Sequence, residues 1–422
     1  LTVCADHYHR YKEDIALMAE MGFKAYRFSI AWSRVIPNGT CEVNPKGIEF
    51  YSSLIDECIK YGIEPIITLF HFDMPAALDE RGSWSNRDSI DWFANYAKTM
   101  FENFGDRVKY WLTINEQNML TMVGPLIGTM VLPENCENPL KEIYTQNHHM
   151  LVAQAKAMAI CHEILPEAKI GPAPNIGIVY PESCKPEDII AAQNANALRN
   201  WLYLDAYVFG RYNNLVWSWL KSKDALPKVE DGDFDSLRSA KPDFIGFNYY
   251  STATAKEWEG EAEEGGALSQ QENGGEEGLF KGVHNPYLQK SEFGWEIDPV
   301  GFRSTFREIY SRYHLPMIIT ENGLGAYDTL TEDKKIHDDY RIEYLRKHIE
   351  QIKLAAEDGC EIIGYCPWSA IDLISTHEGM VKRYGFIYVD RDEFDLKSME
   401  RIPKDSFYWY KKVIASNGED LD

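Results

Sequence analysis

The stretch Ile66-Ile67-Thr68-Leu69-Phe70 is apolar on both faces of an extended chain, and six other stretches repeat the pattern. A strand wetted on one side alternates apolar with polar residues, so a strand that is apolar throughout is covered on both sides. The seven candidates cover residues 24–32, 64–72, 108–116, 169–176, 244–251, 316–323 and 362–372. Helical stretches lie between them, near 7–21, 47–61, 89–104 and 340–354. In the second, Phe50, Leu54, Ile55, Cys58 and Ile59 share one face. In the third, Trp92, Phe93, Tyr96, Met100, Phe101 and Phe104 do the same, with Ser89 as its N-cap.

Repeated strand-helix units imply a parallel sheet, either doubly wound or closed into a barrel. No Gly-x-Gly-x-x-Gly follows an early strand and there is no Walker loop, which disfavours a doubly wound nucleotide-binding sheet. The reading is therefore an α/β fold, a (β/α)8 TIM barrel with residues 1–422 as one domain. Such a barrel needs eight strands and the pattern shows seven. The chain enters its first helix almost at once. The eighth strand either lies before residue 1 or escapes the pattern. Residues 256–282 are acidic and Gly-rich and read as a long surface loop.

A formal net charge of −23 repels nucleic acid and anionic membranes, so neither is an expected partner. It also repels an anionic substrate, and a phosphorylated ligand would need a local cationic pocket. The eight cysteines show no Cys-x-x-Cys, which points to free thiols, without disulfides or metal. No apolar run is long enough to span a membrane, and the first residues show no signal-peptide pattern. The sequence assigns no oligomeric state.

Active sites of α/β barrels sit at the C-terminal ends of the strands. Here those ends carry His71, Asn115-Glu116, Asn248-Tyr249-Tyr250, Glu321-Asn322 and Trp368. A lone Glu at a strand end can be a helix cap. Two, each beside an Asn, suit glycoside hydrolysis, in which one carboxyl protonates the leaving oxygen and the other attacks the anomeric carbon. In a retaining enzyme the two lie ~5–5.5 Å apart and a covalent glycosyl-enzyme forms. Arg27 interrupts an apolar run. A buried guanidinium must be paired, and Glu321 is the natural partner, held ionised by that contact.

Thr113-Ile-Asn-Glu-Gln and Ile319-Thr-Glu-Asn-Gly resemble the acid/base and nucleophile motifs of glycoside hydrolase family 1. The likeness runs from Tyr26-Arg-Phe-Ser-Ile-Ala-Trp to Trp409-Tyr410. It implies a (β/α)8 barrel without metal or organic cofactor. By motif, Glu116 resembles the general acid/base and Glu321 the nucleophile. Arg27 and Tyr250 resemble the nucleophile's hydrogen-bonding neighbours. His71, Asn115 and Asn248 resemble glycon-binding groups, Asn115 toward the 2-hydroxyl. Trp368 resembles the platform under the glycon ring, and Trp295 a wall on the aglycon side. The family's first strand bears a glycon-binding Gln that is not found here, in keeping with the missing strand. The resemblance thus also implies low stability or activity where that segment is absent.

Plain β-glucosidases of the family carry Asp-Asn-Phe-Glu-Trp after the last strand, and that Glu clamps the 4- and 6-hydroxyls. Ser375 stands at the matching position, with Lys382 and Tyr384 shortly after it. A carboxylate would repel a 6-phosphate, whereas a hydroxyl and an ammonium donate to it. Ser375, Lys382 and Tyr384 resemble the phosphate loop of the 6-phospho-β-glucosidases. Thr376, where the galactosidase type has Trp, and Gln117, in place of the motif's Pro, point the same way. The implied substrate is a phosphorylated β-glucoside such as cellobiose 6-phosphate, in a bacterial cytoplasm. The alternatives are a β-glucosidase, a 6-phospho-β-galactosidase, or a non-catalytic sugar-phosphate binder.

Overall fold

The computed structural model describes residues 3–260, 274–375 and 378–422. All seven sequence-derived strands form. β1 (Ala25–Ser29) pairs in parallel with β2 (Glu64–Phe70), β2 with β3 (Tyr110–Asn115), and β3 with β4 (Lys169–Ala173). β5 (Ile245–Asn248) pairs in parallel with β6 (Met317–Glu321), and β6 with β7 (Ile362–Tyr365). Between β4 and β5, Asn248 N–H donates to Pro174 O and Ile176 N–H donates to Asn248 O, each at 2.9 Å. The strands therefore follow chain order from β1 to β7.

Every residue of β5 and β6, and all but the first of β2, β3 and β4, is buried. That is why these strands lack alternation. β1 and β7 differ: none of their residues is fully buried, and Ile363 is 49% exposed. Among the described residues no strand lies between them, and the sheet is open there. A cavity of about 1320 Å³ fills the gap, lined by Ala25–Ser29, residues 362–371 and the segment before the first helix. Two unpaired edges and uncovered apolar surface destabilise a sheet. A variant carrying one further apolar strand, placed parallel between β7 and β1, is expected to melt about 5 °C or more higher in calorimetry. An unchanged midpoint would show that these edges cost nothing as they stand.

Helices cover the outer face. α1 (His7–Met21) ends at Gly22, whose φ of 90° suits a residue without Cβ. α2 (Pro45–Lys60) starts behind Asn44, whose side chain accepts from Lys46 N–H at 3.2 Å. Ile59 departs from its expected place: it is 44% exposed, while Leu54, Ile55 and Cys58 are buried. It lies beyond the edge of the buried stripe, beside the chain's exit at Tyr61. α3 (Ser89–Phe104) buries all six expected aromatic and aliphatic residues. Its N-cap is Asp88, not Ser89, which is buried in the first turn. Tyr96 stacks on Trp32 at 4.7 Å and donates to Leu69 O at 2.7 Å, tying α3 to β2. The reading of 256–282 as one loop is corrected at its ends. Ala253–Lys256 pairs antiparallel with Lys281–Val283, and residues 261–273 lie outside the described residues.

Candidate active site

The strand ends converge as the sequence indicates, and one hydrogen-bonded chain links them. Arg27 rises from β1 into the barrel mouth. Its Nη1 donates to Glu321 Oε1 at 2.5 Å, its Nη2 to Asn115 Oδ1 at 2.7 Å and its Nε to Thr68 Oγ1 at 2.9 Å. Tyr250 O–H donates to the other Glu321 oxygen at 2.8 Å. Both partners of the Arg27–Glu321 pair are about 95% buried. Each oxygen of Glu321 thus has a fixed donor, which orients the carboxylate toward the cavity mouth.

Glu116 ends β3 and precedes α4 (Gln117–Ile127) with φ 44° and ψ 47°. A left-handed backbone is uncommon for a residue with a Cβ and marks positions held by their surroundings. Here Glu116 N–H donates to Ala173 O at 2.7 Å, and Glu116 O accepts from Met119 N–H at 2.8 Å. The abrupt turn aims the side chain at the mouth. Asn248 Nδ2 donates to Glu116 Oε1 at 2.9 Å and to Asn115 Oδ1 at 3.1 Å, so the two amides and the Arg27 guanidinium together join the two carboxylates. Asn175 Nδ2 donates to the same Glu116 oxygen at 2.9 Å.

Charge follows from these contacts. Burial pushes the Glu116 carboxyl up to about 7, and the negative Glu321 adds to the rise. The Asn248 and Asn175 donors and Arg27 oppose it. Glu116 is therefore largely protonated below neutrality, as a general acid requires. Burial holds Tyr250 well above the usual phenol range, with Glu321 reinforcing, so it stays a donor. Burial also pushes His71 down to about 4. The imidazole is neutral, and its tautomer follows from its partners. Asn115 Oδ1 already accepts twice, so Asn115 Nδ2 donates to His71 Nε2 at 3.1 Å and the ring proton sits on Nδ1.

Trp368 lies 5.9 Å from the His71 ring, and the Trp368–Ser369 peptide is cis. Trp295 sits edge-on to Tyr250 at 5.4 Å and beneath the Lys382 ammonium at 3.8 Å, so it walls the region between the Glu321 neighbours and the last loop. Lys382 is 1% exposed at its side chain, with Phe293 also facing its ammonium at 4.6 Å. Burial lowers its pKa, partly opposed by Glu378 at 3.6 Å. Glu378 also accepts from Ser375 O–H at 3.0 Å, so one carboxylate spans the hydroxyl and the ammonium. Tyr384 is buried beside them. Thr376 lies outside the described residues. Gln117 points away from the mouth, donating to Asn147 Oδ1 at 2.7 Å.

Asn175, Thr320 and Glu378 escaped the sequence reading, as did Thr68, Asn118 and Arg199, which hold Arg27 and Asn175. Asn175 stands just past the end of β4, whereas the strand ends singled out from the sequence belong to five other strands. Among the described residues, no group of three or more His, Cys, Asp or Glu side chains could hold a metal ion. No helix among them is long and apolar enough to cross a membrane.

Comparison with known proteins places this arrangement. The model of the family "Glycosyl hydrolase family 1" matches residues 1–419. The aryl-phospho-beta-D-glucosidase BglC of Bacillus subtilis strain 168 is 47% identical over 99% of this chain and 88% of that protein. The 6-phospho-beta-glucosidase AscB of Escherichia coli strain K12 is 45% identical over 99% of this chain and 86% of that protein. A family 1 β-glucosidase from Thermotoga maritima superposes with a TM-score of 0.87 at 37% identity, covering 99% of this chain and 88% of that one. A parallel barrel with paired glutamates at the ends of β3 and β6, matched along nearly its whole length, puts this chain in glycosyl hydrolase family 1.

Proposed function

We propose that the chain, acting as one domain over residues 1–422, hydrolyses 6-phospho-β-D-glucosides to glucose 6-phosphate and an aglycon, with retention of configuration. Glu321 attacks the anomeric carbon while Glu116 gives its proton to the leaving oxygen. A glycosyl-enzyme ester forms on Glu321. Glu116, now ionised, takes a proton from water, which cleaves the ester. Arg27 and Tyr250 keep Glu321 oriented for attack. Neutral His71 and Asn115 offer donors to glycon hydroxyls, Trp368 carries the ring, and Asn248 joins Asn115 to Glu116. No cofactor is assigned a step. The relatives named as phospho-glucosidases support this substrate class, and the proposed site of action is the cytoplasm.

The phosphate assignment rests on one observation: an ammonium, Lys382, buried at the site beside the Ser375 hydroxyl and the Tyr384 phenol. In this state Glu378 fills the anion's place between Ser375 and Lys382. An arriving phosphate would replace that carboxylate and gain the same donors. Trp295 is then part of the floor beneath the phosphate-binding cation as well as a wall toward the aglycon.

The test is hydrolysis of p-nitrophenyl β-D-glucoside 6-phosphate beside the unphosphorylated glucoside at equal concentration. The phosphorylated substrate is expected to be preferred. Lys382→Met is expected to cut its kcat/KM by about 10- to 100-fold, the worth of a charged hydrogen bond, with little effect on the plain glucoside. Preference for the plain glucoside would overturn the phosphate reading and leave the double-displacement chemistry intact.

A further inference from the structure

Two amides hold the Glu116 carboxyl, and each could in principle present either its oxygen or its nitrogen. For Asn248 the choice is made by Thr320, whose hydroxyl donates to Asn248 Oδ1 at 2.6 Å and leaves Nδ2 for Glu116. For Asn175 the choice is made by Arg199. Its Nη2 donates to Asn175 Oδ1 at 3.0 Å, which turns Asn175 Nδ2 toward Glu116 Oε1. Arg199 is 3% exposed and sits in the wide turn Ala197–Trp201, a single π-helical stretch inside a run of helix. Such turns recur at functional sites because they displace one side chain from the helical ladder.

Asn118, two residues after Glu116, ties the parts together. Its Nδ2 donates to the carbonyls of Asn175 at 2.5 Å and Arg199 at 3.1 Å, and its Oδ1 accepts Asn175 N–H at 3.0 Å. A buried guanidinium also calls for negative charge nearby. Burial brings the Arg199 guanidinium down to about 10, while Glu116 acts on it electrostatically and favours its charged form.

We infer that Arg199 is a positioning residue for Glu116: it locks Asn175 as a donor to Oε1, so the transferable proton resides on Oε2. This rests on the assignment of Glu116 as acid/base. The chemistry is that of a carboxyl group with one carbonyl-type and one hydroxyl oxygen. Two N–H donors on Oε1 keep it the acceptor, and the proton is confined to the other oxygen. After transfer the same donors stabilise the carboxylate that must act as base. With Arg199 gone, Asn175 is free to turn its Oδ1 toward Glu116 and to accept from a protonated carboxyl. The protonated form then gains, and a nearby positive charge is lost. Both effects raise the pH at which Glu116 ionises. Among the described residues, the other titratable groups that act on Glu116 are Glu321, Arg27, Tyr250 and Tyr384, and they stay in place.

The experiment is the pH profile of kcat/KM for the wild-type chain, Arg199→Met, Arg199→Lys, Asn175→Ser and Glu116→Gln, with p-nitrophenyl β-D-glucoside 6-phosphate and the plain glucoside. Arg199→Met is expected to move the basic limb up by about one pH unit, tenfold in the ionisation constant. Arg199→Lys, which restores charge and a donor, should return most of the shift. Asn175→Ser should move the limb in the same direction with Arg199 intact, and it decides the matter if Arg199→Met does not fold. A lower rate with an unmoved limb in both Arg199→Met and Asn175→Ser would reduce Arg199 to a structural residue and overturn the inference. A basic limb that survives in Glu116→Gln would mean that the limb belongs to another group. The acid/base assignment would then fail, and the role of Arg199 with it.

Discussion

Hydrolysis by a Glu321→Gly variant is expected to fall by on the order of 10⁵-fold, the scale seen when a covalent nucleophile is removed. That is about 7 kcal/mol at ~1.36 kcal/mol per tenfold. Among the described residues nothing else is placed to replace it, because Arg27 and Tyr250 are donors aimed at where its oxygens stood. The same geometry provides a positive control. Arg27 Nη1 and the Tyr250 hydroxyl would hold a small anion such as azide in the vacated space. Attack from that face produces the α-glycosyl azide, with inverted configuration, and proton NMR of the product identifies it. Rescue with inversion assigns the nucleophile, whereas an active variant without azide would show it to be misassigned. Removing Glu321 also strips a buried guanidinium of its carboxylate partner, which costs about 3–5 kcal/mol in comparable pairs. Glu321→Gln keeps a polar group against Arg27 and separates loss of chemistry from loss of fold.

The second large effect belongs to Glu116 and depends on the leaving group. For an alkyl 6-phospho-glucoside, whose oxygen must be protonated to depart, Glu116→Gln is expected to lower kcat/KM by about 10³- to 10⁴-fold. For a 2,4-dinitrophenyl aglycon, which leaves as a stable anion, formation of the glycosyl-enzyme should be nearly unaffected. Its breakdown, which needs a base, should become rate-limiting and produce a burst. The pH profile gives an independent readout. With Glu116 pushed up to about 7 by burial and Glu321, the wild-type kcat/KM should decline as pH rises through about 7, as the acid loses its proton. Glu116→Gln has no proton to lose there, and the decline should vanish. Equal losses for both aglycons would argue that Glu116 serves binding rather than proton transfer.

The sequence was most informative where one physical demand left few solutions. Strands covered on both sides must be apolar throughout, so all seven were found, although the last was expected over 362–372 and ends at Tyr365. A guanidinium inside an apolar run must meet a carboxylate, and Arg27 meets Glu321. The same logic extends to Arg199, set among Ala195, Ala197, Leu198 and Leu202, but the sequence alone does not say which residues it would reach. Helical periodicity gave the buried stripe of α2 but not its edge, since the exposure of Ile59 depends on where neighbouring elements stop covering the helix.

By itself, then, the sequence determined the strand-helix repeat, the two glutamates at strand ends and the cation beside Ser375. Periodicity and residue type act locally and survive without coordinates. Only the tertiary structure decided which side of each amide faces Glu116, which tautomer His71 adopts, that Glu378 bridges Ser375 and Lys382, and that β1 and β7 face each other across an open cavity. Those features come from groups far apart in the chain: 294 positions separate Arg27 from Glu321, and 132 separate Glu116 from Asn248. Hydrogen-bond direction and burial at such separations are set when the strands assemble side by side, and no local pattern encodes them.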